Sequence, residues 1–386
     1  MKKQLTRIAS WMLLATMGQA GAFAQNIRID MNQTYPEKTI SLQKVADVKY
    51  IPLETTDEVL FNGIVTNLSA EGIAGFNKKE GDILVFDGTG KAIASFNHTG
   101  QGPNEYNKIY HLDVDWKQKE VYVQDNFRQK IRIYGLDGRH LRTIDLQETM
   151  QEGDLYSFSD THLIYYAKPK SKPVTPYEPV TLLSKKDASK VTLPFTKTDD
   201  NLVKATGGPF GDMKMSAKNV NLLCKKGDEV YVNEVTADVI YRVESNHALT
   251  PVVERTPSYQ DASGQDFFLM LTGANARYYF FKRQQALLEF QGNAATDTKS
   301  TYVAYDRKEK QLLNPTFTNE DYPSQDIPMS KLLQCAGSAN RCYLQLEAFK
   351  LKEALAEGKL KGTLKSIAEK LDEEDNPVLM VVEFKK

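Results

Sequence analysis

Cysteine and histidine are scarce in this chain, and neither sign of charge dominates it. Of the three cysteines, Cys335 and Cys342 are close enough to close a small loop in an oxidising compartment, while Cys224 has no mate near it in sequence. Metal-binding cysteine spacing is absent. Basic and acidic residues nearly cancel, with a formal net charge of −1, so nothing points to nucleic acid or an anionic membrane as partner. No stretch approaches the roughly 18 consecutive apolar residues of a membrane-spanning helix. A phosphate-binding loop of the GxxxxGK[ST] kind, an EF-hand loop and a GxSxG nucleophile elbow are likewise missing.

What is present begins with MKKQLTRIASWMLLATMGQAGAFAQ. Lys2, Lys3 and Arg7 form a basic start, Ile8 to Met17 a short apolar core, and Ala22-Phe23-Ala24 an A-x-A cleavage site before Gln25. Residues 1–24 are therefore expected to be a secretory signal peptide and residues 25–386 the mature, exported protein, periplasmic or extracellular and soluble. No cysteine follows the cleavage site to carry a lipid. Cleavage removes three positive charges and takes the net charge from −1 to −4.

The middle of the chain repeats. ILVFDGTGKAIASF (83–96) and IRIYGLDGRHLRTI (131–144) both read as an alternating strand, a glycine turn, a basic residue and a second alternating strand. Phe86 aligns with Tyr134, Gly90 with Gly138 and Lys91 with Arg139. Fainter copies place Leu183, Val243, Tyr305 and Phe384 at the same anchor, at spacings of 48, 49, 60, 62 and 79 residues. VYVQD (121–125) and VYVNE (230–234) each end nine residues before an anchor. Such strand units, repeated six times at about 50 residues, predict an all-β, six-bladed β-propeller. Two β-sandwich domains are the rival, but they do not explain the regular strand–turn–strand spacing.

A ring must close. VKYIPLE (48–54) and VLMVVEF (378–384) are isolated early and late strands, expected to share one blade and hide each other's edges. Before the last strand, a helical insertion of about 344–371 carries apolar residues from Leu351 to Leu371. Gly358 and Gly362 interrupt it, and it is expected to cap the ring.

Asp47-Val48-Lys49-Tyr50-Ile51-Pro52-Leu53-Glu54-Thr55-Thr56 resembles the "VeyIpLET" opening of the exported, NHL-like six-bladed propeller proteins of Bacteroides and relatives. Gly100-Gln101-Gly102-Pro103-Asn104-Glu105-Tyr106 is similar to that family's G-x-G-P-x-E-Y motif, and Asn376-Pro377-Val378-Leu379 to its C-terminal "NPvl". The resemblance covers nearly the whole mature chain. It implies a propeller in the bacterial envelope and no particular reaction. Many relatives carry a lipid-anchoring cysteine, from which this chain departs.

Gly100-Gln101-Gly102-Pro103 lies between the last strand of one blade and the first of the next. Pro103 and the strand-like IYHLDVD after it rule out a nucleotide fingerprint. The glycines are read as an inter-blade joint that exploits positive φ and close backbone approach, with Pro103 setting the exit angle. TGGPFGD (206–212) looks like a degenerate second copy. Glu105 and Tyr106 are the candidate binding residues of the joint. Asp125 and Asn126, with Arg128 in the same loop, and Glu234 end corresponding strands and are the other candidates.

Metal chemistry finds little footing. His98, His111, His140, His162 and His247 do not give three ligands in one register, although His140 and His247 fall at nearly matching positions. Asp113-Val114-Asp115, Asp125, Asn126 and Glu234 offer oxygens that would suit calcium, but the reading carries no cofactor and no catalytic residue. RYYFFKR (277–283) is either a buried strand or an exposed aromatic cluster for a sugar or peptide. The expected function is an envelope binding or scaffold module recognising a protein, peptide or glycan with one propeller face. A metal-dependent hydrolase or lyase of lactonase-like type is the alternative.

Overall fold

The computed structural model describes residues 26–146, 149–168, 176–197, 202–207, 213–216, 222–227, 229–261, 267–291, 294–295, 299–331 and 341–385. The signal-peptide segment, Cys335 and Gly208–Asp212 lie outside them.

Six sheets stand around an axis as the blades of a β-propeller. The chain starts with β1 (Ile27–Asp30), β2 (Glu37–Ser41), the short α1 (Leu42–Val45) and β3 (Ala46–Pro52). Blade 1 follows as β4 (Ile64–Leu68), β5 (Gly72–Phe76), β6 (Ile83–Asp87) and β7 (Ala92–Phe96). Blade 2 is β8 (His111–Asp115), β9 (Glu120–Asp125), β10 (Lys130–Gly135) and β11 (His140–Asp145). Blade 3 is β12 (Thr149–Ser157), β13 (His162–Lys168), β14 (Val180–Ser184) and β15 (Lys190–Thr192). After a hairpin, β16 (Leu202–Thr206) and β17 (Met213–Ser216), blade 4 comprises β18 (Leu223–Lys226), β19 (Glu229–Val232), β20 (Val239–Val243) and β21 (Leu249–Thr256).

Blade 5 begins with β22 (Phe267–Ala274) and β23 (Tyr278–Gln285). It is interrupted by β24 (Leu287–Gln291) and β25 (Ala294–Ala295), then completed by β26 (Ser300–Asp306) and β27 (Gln311–Thr318), with β28 (Asp326–Pro328) alongside. Blade 6 joins β29 (Arg341–Leu346) and β30 (Val378–Phe384) to β3. The pairing of β3 with β30 runs antiparallel from Ala46 opposite Phe384 to Pro52 opposite Val378, closing the ring as expected. Each of the six anchors lies in the strand beside its blade's outer strand.

The core is divided among the blade interfaces, because each sheet buries both faces against its neighbours. Along β30, Leu379 and Val381 pack toward blade 1, while Met380, Val382 and Phe384 pack toward blade 5. That is the period-two alternation of a pleated strand. RYYFFKR resolves the same way. Tyr278 and Phe280 face blade 6, Tyr279 and Phe281 face blade 4, and all four are buried.

Five hairpins into the outer strands share one left-handed turn residue: Gly90, Gly138, Ala188, His247 and Lys310, with φ of 93°, 80°, 58°, 68° and 52°. Only the first two are glycines, which no side-chain clash penalises there. The later repeats are fainter in sequence because other residues fill the same conformation.

The helical insertion begins later than the apolar pattern indicates, since Leu344 and Leu346 belong to β29. Two helices follow, α2 (Ala348–Ala356) and α3 (Gly362–Ala368). Gly358 at φ 68° and Gly362 at φ 53° break them apart. Leu351, Leu360 and Leu364 pack with Val378, and Tyr50 lies against that cluster, so the helices cap blade 6.

Candidate functional site

Strand directions alternate within a blade, so two kinds of connection fall on one rim of the ring. These are the joints between blades and the links between second and third strands. The other connections fall on the opposite rim. There, the turns of blades 1 to 5 span only two to five residues. On the first rim lie the described residues of the connections from β15 to β18 and from β23 to β26, and residues 347–377. These include β16–β17, which pairs with β24–β25 into an accessory sheet, and the α2–α3 cap. Long connections gathered on one rim of a rigid ring make that rim the candidate site.

The joint from blade 1 to blade 2 sits on this rim. The Glu105 carboxylate accepts from the Gly102 N–H at 2.6 Å. Arg128, from the neighbouring link of blade 2, donates to the carbonyls of Gly100 (3.1 Å) and Gly102 (3.2 Å) and to Gln101 Oε1 (2.7 Å). Arg132 Nε donates to the Glu105 carbonyl at 2.6 Å. Tyr106 is fully buried; its hydroxyl donates to the Gly81 carbonyl at 2.7 Å and accepts from His98 N–H at 3.0 Å. Burial pushes its phenol up to about 12. Asp125, also fully buried, accepts from Asn107 N–H at 3.0 Å and Arg128 N–H at 3.3 Å. Asn126 accepts from Gln124 Nε2 at 2.9 Å.

Five candidates from the sequence, Glu105, Tyr106, Asp125, Asn126 and Arg128, thus gather around one loop, where the polar groups of Glu105, Tyr106, Asp125 and Arg128 hold the joint. Glu234 is elsewhere. It is buried between blades 3 and 4, paired with Lys197 at 2.9 Å and accepting from Tyr166 Oη at 2.7 Å. The expectation of positive φ in the joint is corrected: neither Gly100 nor Gly102 adopts it. Glycine is required at Gly100 for room, since a Cβ there would lie 2.0 Å from Glu105 Oε2. His140 and His247 do not share a register either. His247 occupies the turn position that Gly138 fills in blade 2. The joint leaves Gln101, Pro103, Asn104 and Lys108 exposed, beside the Phe127 ring, 74% exposed.

Inside the ring, the inner strands carry a polar network that the sequence reading largely missed. Asp113 accepts from Asn67 Nδ2 of blade 1 at 2.8 Å, Ser157 N–H of blade 3 at 2.6 Å and Lys225 Nζ of blade 4 at 2.9 Å. Lys185 reaches Asp115 at 2.6 Å and also donates to Ser157 Oγ and the Ser159 carbonyl. Burial alone raises the Asp115 carboxyl, but hydrogen bonds from Lys185 and Gln118 N–H, with the ammonium charges of Lys185 and Lys225, hold it below its ordinary value. The D-x-D carboxylates therefore face ammonium groups where a calcium ion would need open oxygens. Among the described residues, no three His, Cys, Asp or Glu side chains group as metal ligands. His111 packs edge-on to Tyr156 at 5.0 Å, and its buried Nε2 has no hydrogen-bond partner. Burial pushes it down to about 4; Asp113 opposes the shift and Lys225 adds to it. Only the Asp113-Val114-Asp115 spelling signalled this network, because its lysines arrive from distant blades.

A cleft of about 560 Å³ opens on the long-loop rim between α2, β29 and the start of blade 1. Tyr322, Gln325, Lys331, Gln345 and Lys350 line it. The exposed Leu60 and Phe349 lie on the same rim. Among the described residues, no helix is long and apolar enough to cross a membrane.

The fold is similar to that of a "Putative exported protein" of Bacteroides fragilis, with a TM-score of 0.62 at 15% identity over 93% of this chain and 99% of that one. A member of the DUF4221 family from Bacteroides vulgatus is also similar, with a TM-score of 0.51 at 9% identity over 89% and 98%. At these identities the likeness shows the fold alone. No curated protein matches the sequence. Residues 26–383 match the family described as a domain of unknown function, DUF4934, and the chain belongs to that family.

Proposed function

We propose that this protein is an exported binding or scaffold module of the bacterial envelope, recognising a protein, peptide or glycan with the long-loop rim. One observation carries the reading: the long connections and the cleft fall on a single rim, while the opposite rim of blades 1 to 5 has only tight turns. The basic–apolar–AxA start supports export, as does the fold shared with the Bacteroides fragilis protein. With the three ordered motifs it also supports kinship with the exported, NHL-like propellers of Bacteroides. The joint loop supports a scaffolding role for Glu105, Tyr106 and Arg128, which hold backbone in place, and leaves contact with a ligand to exposed neighbours such as Phe127.

The test is binding of the mature chain to glycan and peptide arrays. Phe127→Ser and Phe349→Ser should abolish a hit that Lys186→Ser, in a tight turn of the opposite rim, leaves unchanged. A hit lost through Lys186→Ser and kept by the rim variants would overturn the reading. The hydrolase alternative needs ligands that converge on one metal. Asp113 and Asp115, each paired with a lysine, do not favour it.

A further inference from the structure

The cleft beside α2 is long as well as roomy. Four consecutive residues of β29, Tyr343 to Leu346, line it, a run of about 10 Å at the rise of extended chain. Tyr322, Gln325, Ser330 and Lys331 approach it from the segment after β27, and Gly63 and Ile64 from the start of blade 1. The first turn of α2 adds Lys350. The volume of about 560 Å³ falls within the roughly 300–1,000 Å³ of sites that hold small ligands.

Its chemistry is lopsided. Leu344 and Leu346 stand two apart on β29 and so share one face. They and Ile64 are only half-buried, which leaves aliphatic surface open to the cleft. The side chains of Gln325 and Ser330 make no hydrogen bond among the described residues. Lys331 and Lys350 are exposed, and neither has a carboxylate partner among those residues. The Lys350 ammonium lies over the Phe349 ring, 5.5 Å from its centre. The single carboxylate that lines the cleft, Glu347, already accepts from Gln345 Nε2 at 3.2 Å. Two unmatched ammonium groups against one engaged carboxylate favour a ligand of negative charge.

We infer that the cleft takes a short, extended peptide in which acidic and aliphatic residues alternate. The inference rests on the long-loop rim being the recognition face, and it names what one part of that rim binds. Successive side chains of an extended chain point to opposite sides. One set lies on Leu344 and Leu346, and the other reaches Lys331 and Lys350. Gln325 and Ser330 supply hydrogen bonds to the peptide groups between them. An acidic saccharide suits the lining less well. Sugar rings stack on aromatic plates, and the half-buried ring here, Tyr322, packs on the α2–α3 core.

The test is fluorescence polarisation of an acetylated, dye-labelled Glu-Leu-Glu-Leu peptide on the full mature chain, with a Kd of about 0.1 mM expected. Gln-Leu-Gln-Leu and Glu-Ser-Glu-Ser should each bind roughly tenfold more weakly. Lys331→Gln and Lys350→Gln should each weaken the acidic peptide about two- to fivefold, as exposed ion pairs do, without moving the unfolding temperature. Lys331→Glu combined with Lys350→Glu should reject it and admit Lys-Leu-Lys-Leu. Absence of binding at about 2 mM, equal affinity for the neutral peptide, or undiminished acidic-peptide binding by the charge-reversed variant would each overturn the inference. So would an oligogalacturonate that binds more tightly than the peptide and is lost with the same two lysines, which would make the ligand an acidic saccharide. None of these outcomes touches the rim reading, which stands or falls on the array hits and their loss in Phe127→Ser and Phe349→Ser.

Discussion

Gly100 and Glu105 act as one device: the missing side chain of the first makes room for the carboxylate of the second. An alanine at Gly100 pushes that carboxylate off the Gly102 N–H, which it meets at 2.6 Å. Loss of a hydrogen bond to a charged group is worth about 1.5–3 kcal/mol, so Gly100→Ala should lower stability by about 2 kcal/mol. Gly102→Ala, whose Cβ would stand 3.1 Å from the Glu105 carboxyl, should cost under about 1 kcal/mol. Denaturant unfolding of the two variants, and of Gly100→Ala combined with Glu105→Ala, checks this. The alanine at position 100 should be nearly silent once the Glu105 side chain is gone.

His111 makes a second prediction at this scale. Its folded value of about 4 lies below the ordinary imidazole value of 6.5. Between those limits the unfolded chain binds a proton that the folded chain refuses, so stability falls as pH drops from about 6.5 toward 4. The effect is on the order of 3 kcal/mol across that window. His111→Phe should flatten this part of the stability–pH profile, leaving the carboxylates to act at lower pH. An unchanged slope in the variant would show that the imidazole takes up its proton as readily in the folded chain as in the unfolded one.

Among the elements, the entrance to β30 is tied most densely. Asn376 is buried and donates through Nδ2 to the carbonyls of Glu54 at 2.7 Å and Val59 at 2.8 Å. Its Oδ1 accepts from Phe61 N–H at 2.7 Å, and its own N–H donates to Thr55 Oγ1 at 2.8 Å. The Leu-Glu-Thr and Asn-Pro spellings, more than 300 residues apart, are two halves of one clasp over the blade 6 to blade 1 joint. Asn376→Ala leaves the buried Phe61 N–H unsatisfied and takes a donor from the buried Val59 carbonyl and from the Glu54 carbonyl nearer the surface. At about 1–3 kcal/mol for each buried group, it should cost about 2 kcal/mol or more, whereas Asn376→Asp, which sets a buried carboxylate against the Glu54 and Val59 carbonyls, should cost more still. Thermal unfolding of the pair orders them.

For the whole molecule, stability rests on closure, because each blade's faces are buried only by its neighbours. Removing residues 376–386 deletes six buried apolar side chains of β30. At about 1.5–3 kcal/mol each, the loss matches or exceeds the 5–15 kcal/mol total stability typical of a domain. It also strips cover from blades 1 and 5 and from β3. The truncated chain should therefore fail to fold cooperatively and should aggregate through its open edges. A monomer with unchanged thermal unfolding, seen by sedimentation and calorimetry, would mean that β30 is peripheral to the ring.

The propeller and its closure were legible in the sequence because they are set by local, periodic chemistry. Alternating Val, Ile, Tyr and Phe make strands wherever they stand, and glycine at the left-handed turn of the first two hairpins announces the repeat unit. Ala188, His247 and Lys310 adopt that turn without announcing it, so the later repeats read faintly. The candidate cluster of Glu105, Asp125 and Arg128 was legible as a place, since strand ends and a glycine joint mark a rim. Its role was not, because Arg128 meets the Gly100 carbonyl and Asp125 meets Asn107 only once blade 2 packs on the joint. Two features depended wholly on tertiary structure: the lysines that neutralise Asp113 and Asp115, and the wrapping of residues 27–52, whose β1, β2 and β3 join the sheets of blades 4, 5 and 6. Each joins residues tens to hundreds of positions apart through the curvature of the ring, and no local period in a sequence encodes which distant blade a side chain or an edge will meet.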